Sequence, residues 1–182
     1  MKLTHIGFLT AAAATIMATN ANAATIYDVY GGLTLGAGAA TVFADHDNET
    51  SASQTFGAMF GIDLPVFRAE IEYNYLNQTD FHANMAMANA YFKMASTVVK
   101  PYMGLGVGMM FGGKYDLDVD DADIKTTPAY QGMLGVTIDT LTLPFKFDIE
   151  GRVTYAPDAF KVADVEPDIL NYEGRIKLRY IF

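Results

Sequence analysis

Few side chains in this 182-residue sequence could do nucleophilic or redox chemistry: it has three histidines, no cysteine and no tryptophan. The missing cysteines exclude a disulfide framework, a Cys-ligated zinc site and a thiol nucleophile. His46 sits in Asp45-His46-Asp47 and His82 in Asp80-Phe81-His82, and a carboxylate beside an imidazole can orient it as a general base. Both histidines fall in polar connecting segments, where imidazoles are ordinarily solvated, and no second paired-carboxylate site stands beside them. A third candidate is the acidic run Asp116, Asp118, Asp120, Asp121 and Asp123. Its Asp-x-Asp-x-Asp opening matches a calcium loop, but the sixth position is Asp121 where glycine is needed and the twelfth is Thr127 where a bidentate Glu is needed. The run reads as a solvated acidic loop that attracts divalent cations without forming an EF-hand. No catalytic residue, cofactor-binding residue or structural metal ligand is assigned.

The most organised chemistry lies in charges that alternate with apolar residues. Phe145, Phe147, Ile149, Gly151, Val153 and Tyr155 alternate with Lys146, Asp148, Glu150, Arg152 and Thr154. Tyr172, Gly174, Ile176, Leu178, Tyr180 and Phe182 alternate with Glu173, Arg175, Lys177 and Arg179, and Phe67 to Tyr75 alternate with Arg68, Glu70, Glu72 and Asn74. Successive strand residues point to opposite faces, so each segment has one apolar and one charged face. Five acids and six bases share the charged face, a near balance that suits a closed network of ion pairs: Arg68, Glu70, Glu72, Lys146, Asp148, Glu150, Arg152, Glu173, Arg175, Lys177 and Arg179.

Eight strands are predicted, near residues 26–43, 54–64, 67–75, 84–94, 99–111, 129–139, 145–155 and 172–182. The N-terminal segment is different. Lys2, the apolar run from Ile6 to Ala18 and Ala21-Asn22-Ala23 form the n-region, h-region and small-x-small site of a secretory signal peptide, so residues 1–23 are read as an export signal and 24–182 as the folded domain. No later segment reads as a spanning helix: the longest uncharged run, 16 residues from Val29 to Ala44, contains four glycines. Short turns near residues 63–65, 96–97 and 140–142 alternate with longer polar loops at 44–53, 77–83, 112–128 and 156–168. This layout is that of an all-β, eight-stranded antiparallel up-and-down transmembrane β-barrel, with its short turns in the periplasm and its long loops outside.

Aromatic positions favour a membrane barrel over a soluble one. Tyr27, Phe67, Phe92, Phe145, Tyr180 and Phe182 fall at the short-turn ends of the apolar faces. Phe43, Phe56, Tyr73, Tyr75, Phe111, Tyr130, Tyr155 and Tyr172 fall at the long-loop ends. Two aromatic girdles are what the two interfaces of a bilayer select. The net charge of −9 excludes a nucleic-acid partner, and 51% apolar residues exclude a disordered acidic chain.

The run Lys100-Pro101-Tyr102-Met103-Gly104-Leu105-Gly106-Val107-Gly108 and the terminal segment Tyr172 to Phe182 resemble the small outer-membrane β-barrel family that includes OmpA-like membrane domains and opacity-type surface proteins. The resemblance implies a Gram-negative outer-membrane location, contact with outer-membrane lipid, and a C-terminal strand whose Tyr180 and Phe182 are read by the barrel-assembly machinery. It implies a non-enzymatic protein of the cell envelope, serving its integrity or surface interaction and adhesion. An eight-stranded barrel is just wide enough for side chains to fill it, so the lumen is expected to be plugged. The alternatives are a narrow channel or transporter for small solutes, or a loop-based hydrolase using His46 or His82. The four long loops hold thirteen acids against Lys114, Lys125 and Lys161, which makes the outer surface a site for divalent cations or basic partners.

Overall fold

In a computed structural model of the chain, residues 27–43, 48–78, 81–94, 98–115, 122–123, 126–140, 142–159 and 168–182 are described. The export segment, His46, Asp80 and the acids Asp116, Asp118, Asp120 and Asp121 lie outside them. Strands β1 (Asp28–Phe43), β2 (Asn48–Asp63), β3 (Phe67–Gln78), β4 (Phe81–Lys93), β5 (Val99–Tyr115), β7 (Thr127–Asp139), β8 (Phe145–Ala156) and β9 (Asp168–Ile181) each pair antiparallel with their neighbours in sequence. The ladder between β1 and β9 completes the ring. A two-residue β6 (Ala122–Asp123) pairs only with the outer end of β5, so the closed barrel has eight strands. Closure leaves no free sheet edge, which allows a strand structure to sit in lipid.

Several strands run further toward the long loops than the period-two pattern predicts. β2 starts at Asn48 rather than Gln54, β5 continues to Tyr115, and β9 starts at Asp168 rather than Tyr172. The reason is the ladder itself: β1 pairs with β2 up to Phe43↔Asn48 and with β9 up to Phe43↔Asp168, and the Thr41 and Thr50 hydroxyls meet across the first ladder at 2.9 Å. The backbone hydrogen bonds carry the strands on after the hydrophobic alternation has stopped. The chain end is fastened as well. The Phe182 N–H donates to the Val29 carbonyl at 3.0 Å, and the Ile181 N–H donates to that of Pro144 at 2.8 Å.

The barrel is inside-out relative to a soluble one. Outward residues such as Ile71, Leu105, Leu134 and Ile176 are exposed, Leu105 by 74%, while Arg68, Asp148, Lys177 and Arg179 are buried. The interior has three tiers. Ion pairs occupy the short-turn end, a dense polar network fills the middle, and an apolar layer closes the long-loop end with Leu76, Met85, Met110 and Ile169 at its centre.

Candidate functional site

The inner wall begins with register. In the β8–β9 ladder Asp148 faces Lys177, Glu150 faces Arg175 and Arg152 faces Glu173, so opposite charges stand directly across one another on the same face, a stabilising cross-strand arrangement. β3 lies four strands away from β8 around the ring, on the opposite wall. Its Arg68 donates to Asp148 at 2.9 Å, and its Glu72 accepts from Arg152 at 3.0 Å. These pairs cross the full width of the lumen. β3 also reaches β9: Lys177 lies 2.9 Å from Glu70, and Arg175 holds Glu72 at 2.5 Å.

Most of the carboxylates serve more than one partner residue. Asp148 accepts from Arg68, Arg179 and the Thr137 hydroxyl. Glu70 accepts from Lys177 and from the phenols of Tyr30 and Tyr91 at 2.7 and 2.9 Å. Glu150 takes Arg152 at 2.6 Å and the Tyr102 hydroxyl at 3.0 Å, and Glu173 pairs with Arg175. The Arg68 guanidinium also sits over the rings of Tyr91 and Tyr102, 3.9 and 4.6 Å from their centroids. A buried ion is tolerable when its charge and its remaining hydrogen-bonding capacity are both met; sharing meets the charge, while Arg68 Nε and Nη2 and Glu173 Oε2 keep capacity that no protein atom takes up.

Of the eleven charges expected inside, ten are buried in this network. Lys146 instead lies part-exposed at the short-turn end, 3.0 Å from Asp28 and 3.4 Å from Asp63. There it joins Asp63–Lys93, Arg179–Asp63 at 3.1 Å and Lys100–Asp139 at 2.8 Å. Asp63 and Lys93, near the ends of the strands predicted at 54–64 and 84–94, are both buried and belong to the network. Asn74 stands on the inward face with the charges as expected, and Tyr30, Tyr91, Tyr102, Asn89 and Gln131, which the charge pattern did not single out, continue the inward phase of their strands. Asn89 donates to Glu72 at 2.9 Å and accepts from Gln131 at 2.5 Å.

The glycine run on β5 makes room for these side chains. A Cβ at Gly104 would lie 2.4 Å from the Tyr91 ring, and one at Gly106 would lie 2.2 Å from Asn89 Oδ1. The two glycines let the polar groups of β4 and β7 lie flat against the β5 backbone.

On the outer wall the aromatic residues form two sets. At the short-turn end Phe67 contacts Phe92, Phe145 contacts Tyr180 and Tyr180 contacts Phe182, with centroids 5.2–5.6 Å apart, and Tyr27 is exposed beside them. Toward the other end Phe56 meets Tyr75, Tyr73 meets Phe111, and Tyr130 stands opposite Tyr155. Phe43 and Tyr172 are exposed on the same face. His82, expected in a connecting segment, lies in β4 and stacks on Tyr75 with centroids 5.9 Å apart, and the backbones of Asp123 and Lys114 stand opposite each other in the β5–β6 register.

No protein-family model matches the sequence, and no curated protein does. Solved structures do match in shape. Neisserial surface protein A (NspA) superposes with a TM-score of 0.61 at 19% identity, covering 85% of this chain and 97% of that one. The N-terminal β-barrel domain of Pseudomonas aeruginosa OprF gives 0.55 at 10% identity, covering 84% and 99%. The attachment invasion locus protein Ail of Yersinia pestis, in complex with the heparin analogue sucrose octasulfate, gives 0.50 at 12% identity, covering 84% and 99%. At these identities the likeness is one of fold. A closed antiparallel ring of eight strands, with a charged interior and an apolar exterior, is the fold of the small eight-stranded outer-membrane β-barrels.

Proposed function

We propose that this chain is a non-enzymatic outer-membrane barrel of a Gram-negative envelope, exported by residues 1–23. Its lumen is closed and its acidic external face takes part in envelope integrity or surface adhesion. The observation that carries the reading is the set of ion pairs that span the lumen between β3 and the β8–β9 wall. They occupy the space a solute would need, and opening them would leave buried charges unpaired. Lipid is the partner of the outer wall, and Tyr180 and Phe182 on the last strand present the alternating aromatic pattern that the assembly machinery reads.

The charge of the external face sets its partner class. Thirteen acids against three lysines in the long loops favour divalent cations and basic surfaces, with binding that weakens as salt rises. Ail is solved with a polyanion; the loops here carry the sign that repels one. Planar-bilayer recording of the purified barrel tests the closed lumen: silence is expected, and steady, reproducible single-channel steps would replace this reading with a narrow channel. Polylysine binding to oriented proteoliposomes, lost on raising the salt, tests the acidic face. Binding that ignores salt would contradict it.

A further inference from the structure

The charged network does not reach the top of the lumen. Seven of the eight barrel strands contribute to an apolar tier at the long-loop end: Ala40 from β1, Leu76 from β3, Met85 from β4, Met110 from β5, Ala129 from β7, Ala156 from β8 and Ile169 from β9. All are at most 1% exposed. β2 supplies a polar residue instead, Ser53, which donates to Asn171 at 2.7 Å. A plug built from ion pairs alone would give no reason for this tier, because aliphatic and thioether groups neutralise nothing.

The second observation is on the wall that runs down from it, from Asn171 opposite Ala40 to Thr34 opposite Lys177. Several buried polar atoms there have no protein partner: the hydroxyls of Thr34 and Thr55, the amide nitrogens of Asn74 and Asn171, and one carboxylate oxygen of Glu173. They sit on one wall, on β1, β2, β3 and β9, which are contiguous in the ring. Two hydrogen bonds tie that wall together, Ser53 to Asn171 and Arg175 to Asn74 at 2.9 Å. On β1 this wall has Gly36 and Gly38, so no side chain from β1 reaches in to satisfy these atoms. Buried donors and acceptors rarely remain without partners, and ordered water is the usual supplier where protein is not.

We propose that the lumen is divided into a wet chamber, in which ordered waters bridge Thr34, Thr55, Asn74, Asn171 and Glu173, and a dry seal of Leu76, Met85, Met110 and Ile169 above it. The seal, not the ion pairs, keeps external water and solutes out of the chamber, as an apolar constriction does by dewetting. This rests on the closed lumen proposed above and names the layer that closes it from outside.

The absence of cysteine from the chain makes the test clean. Thr55→Cys is close to isosteric, removes a hydroxyl that has no protein partner, and lies opposite Leu76 in the β2–β3 ladder. A charged, membrane-impermeant methanethiosulfonate reagent is added from the long-loop side. No modification is expected when the seal is intact. In the Leu76→Ala/Met110→Ala/Ile169→Ala background modification should go to completion, while Thr50→Cys on the exposed outer end of β2 reacts in both. Folding of each variant is checked by its heat-dependent gel shift, and Met110→Ala alone replaces the triple variant if that one does not fold. Labelling of Thr55→Cys behind an intact seal overturns the proposal, and so does protection that persists after the seal is removed. A high-resolution crystal structure without ordered water at Thr55, Asn74 and Asn171 overturns the wet half. Single-channel steps from the wild type would instead sink the closed lumen itself, so the two failures are distinguishable.

Discussion

Glu72 is the residue on which the lumen turns, because it takes Arg152 from β8, Arg175 from β9 and the Asn89 amide from β4. Removing it leaves the buried guanidiniums of Arg152 and Arg175 with only Glu150 and Glu173 as counter-charges, a loss bounded by the roughly 3–5 kcal/mol of breaking a buried pair outright. Glu72→Ala should therefore lower the urea midpoint of unfolding markedly. Removing its partner as well, in Glu72→Ala/Arg152→Leu, should recover part of the loss; equal midpoints for Glu72→Ala and the wild type would mean that the network contributes nothing to stability. Glycines give a paired comparison. Gly104→Val pushes a side chain into the Tyr91 ring and is expected to cost about 1–3 kcal/mol, as overpacking does. Gly174→Ala meets nothing within 4 Å and should leave the midpoint unchanged. At this scale the charged residues were legible because a charge in strict alternation with Phe, Ile and Leu declares its face. The partners of Tyr91 and Tyr102 were not legible, because a tyrosine fits lipid, interface or lumen equally well. Only the register places their hydroxyls on Glu70 and Glu150.

β5 and β9 show what a strand must do in this barrel. β5 presents Met103, Leu105, Val107 and Met109 outward between inward glycines, and Leu105 lies near the middle of that apolar row. Leu105→Arg would place a charge against hydrocarbon, at a cost of about 2–4 kcal/mol at the bilayer midplane. The same substitution at Thr50, on the outer end of β2, should cost little. Both are read from unfolding midpoints in lipid vesicles, and equal costs would argue that the exterior does not contact a bilayer. β9 closes the ring against β1 and ends in the ring pair Tyr180–Phe182. Deleting Phe182 or replacing it with Asp should reduce the amount of folded protein in outer-membrane fractions, and normal levels would contradict the role given to the terminal strand. Element type and order were readable from period two. Element ends were not, because the hydrophobic pattern stops before the hydrogen bonds do. The apolar tier was unreadable for a related reason. Leu76, Met110 and Ile169 depart from the inward polar pattern near strand ends, where the phase is hardest to follow.

At the scale of the whole molecule, an apparent contradiction between 51% apolar residues and a net charge of −9 resolves into layers. The apolar residues cover the outside of the ring, the lumen balances its charges across its own width, and most of the uncompensated acids belong to the long loops. Each layer depends on the chain forming a closed barrel with hydrocarbon around it. Removed from lipid or detergent, the same exterior would be an apolar surface far larger than a soluble monomer exposes. Folded barrels of this kind resist detergent until heated, so migration on a detergent gel, with and without boiling and run on outer-membrane fractions, reads fold and location together. The expected result is a compact, faster-migrating form in those fractions that shifts to the full-length position on boiling. Recovery of the protein in the soluble periplasm, with no shift on boiling, would contradict the account.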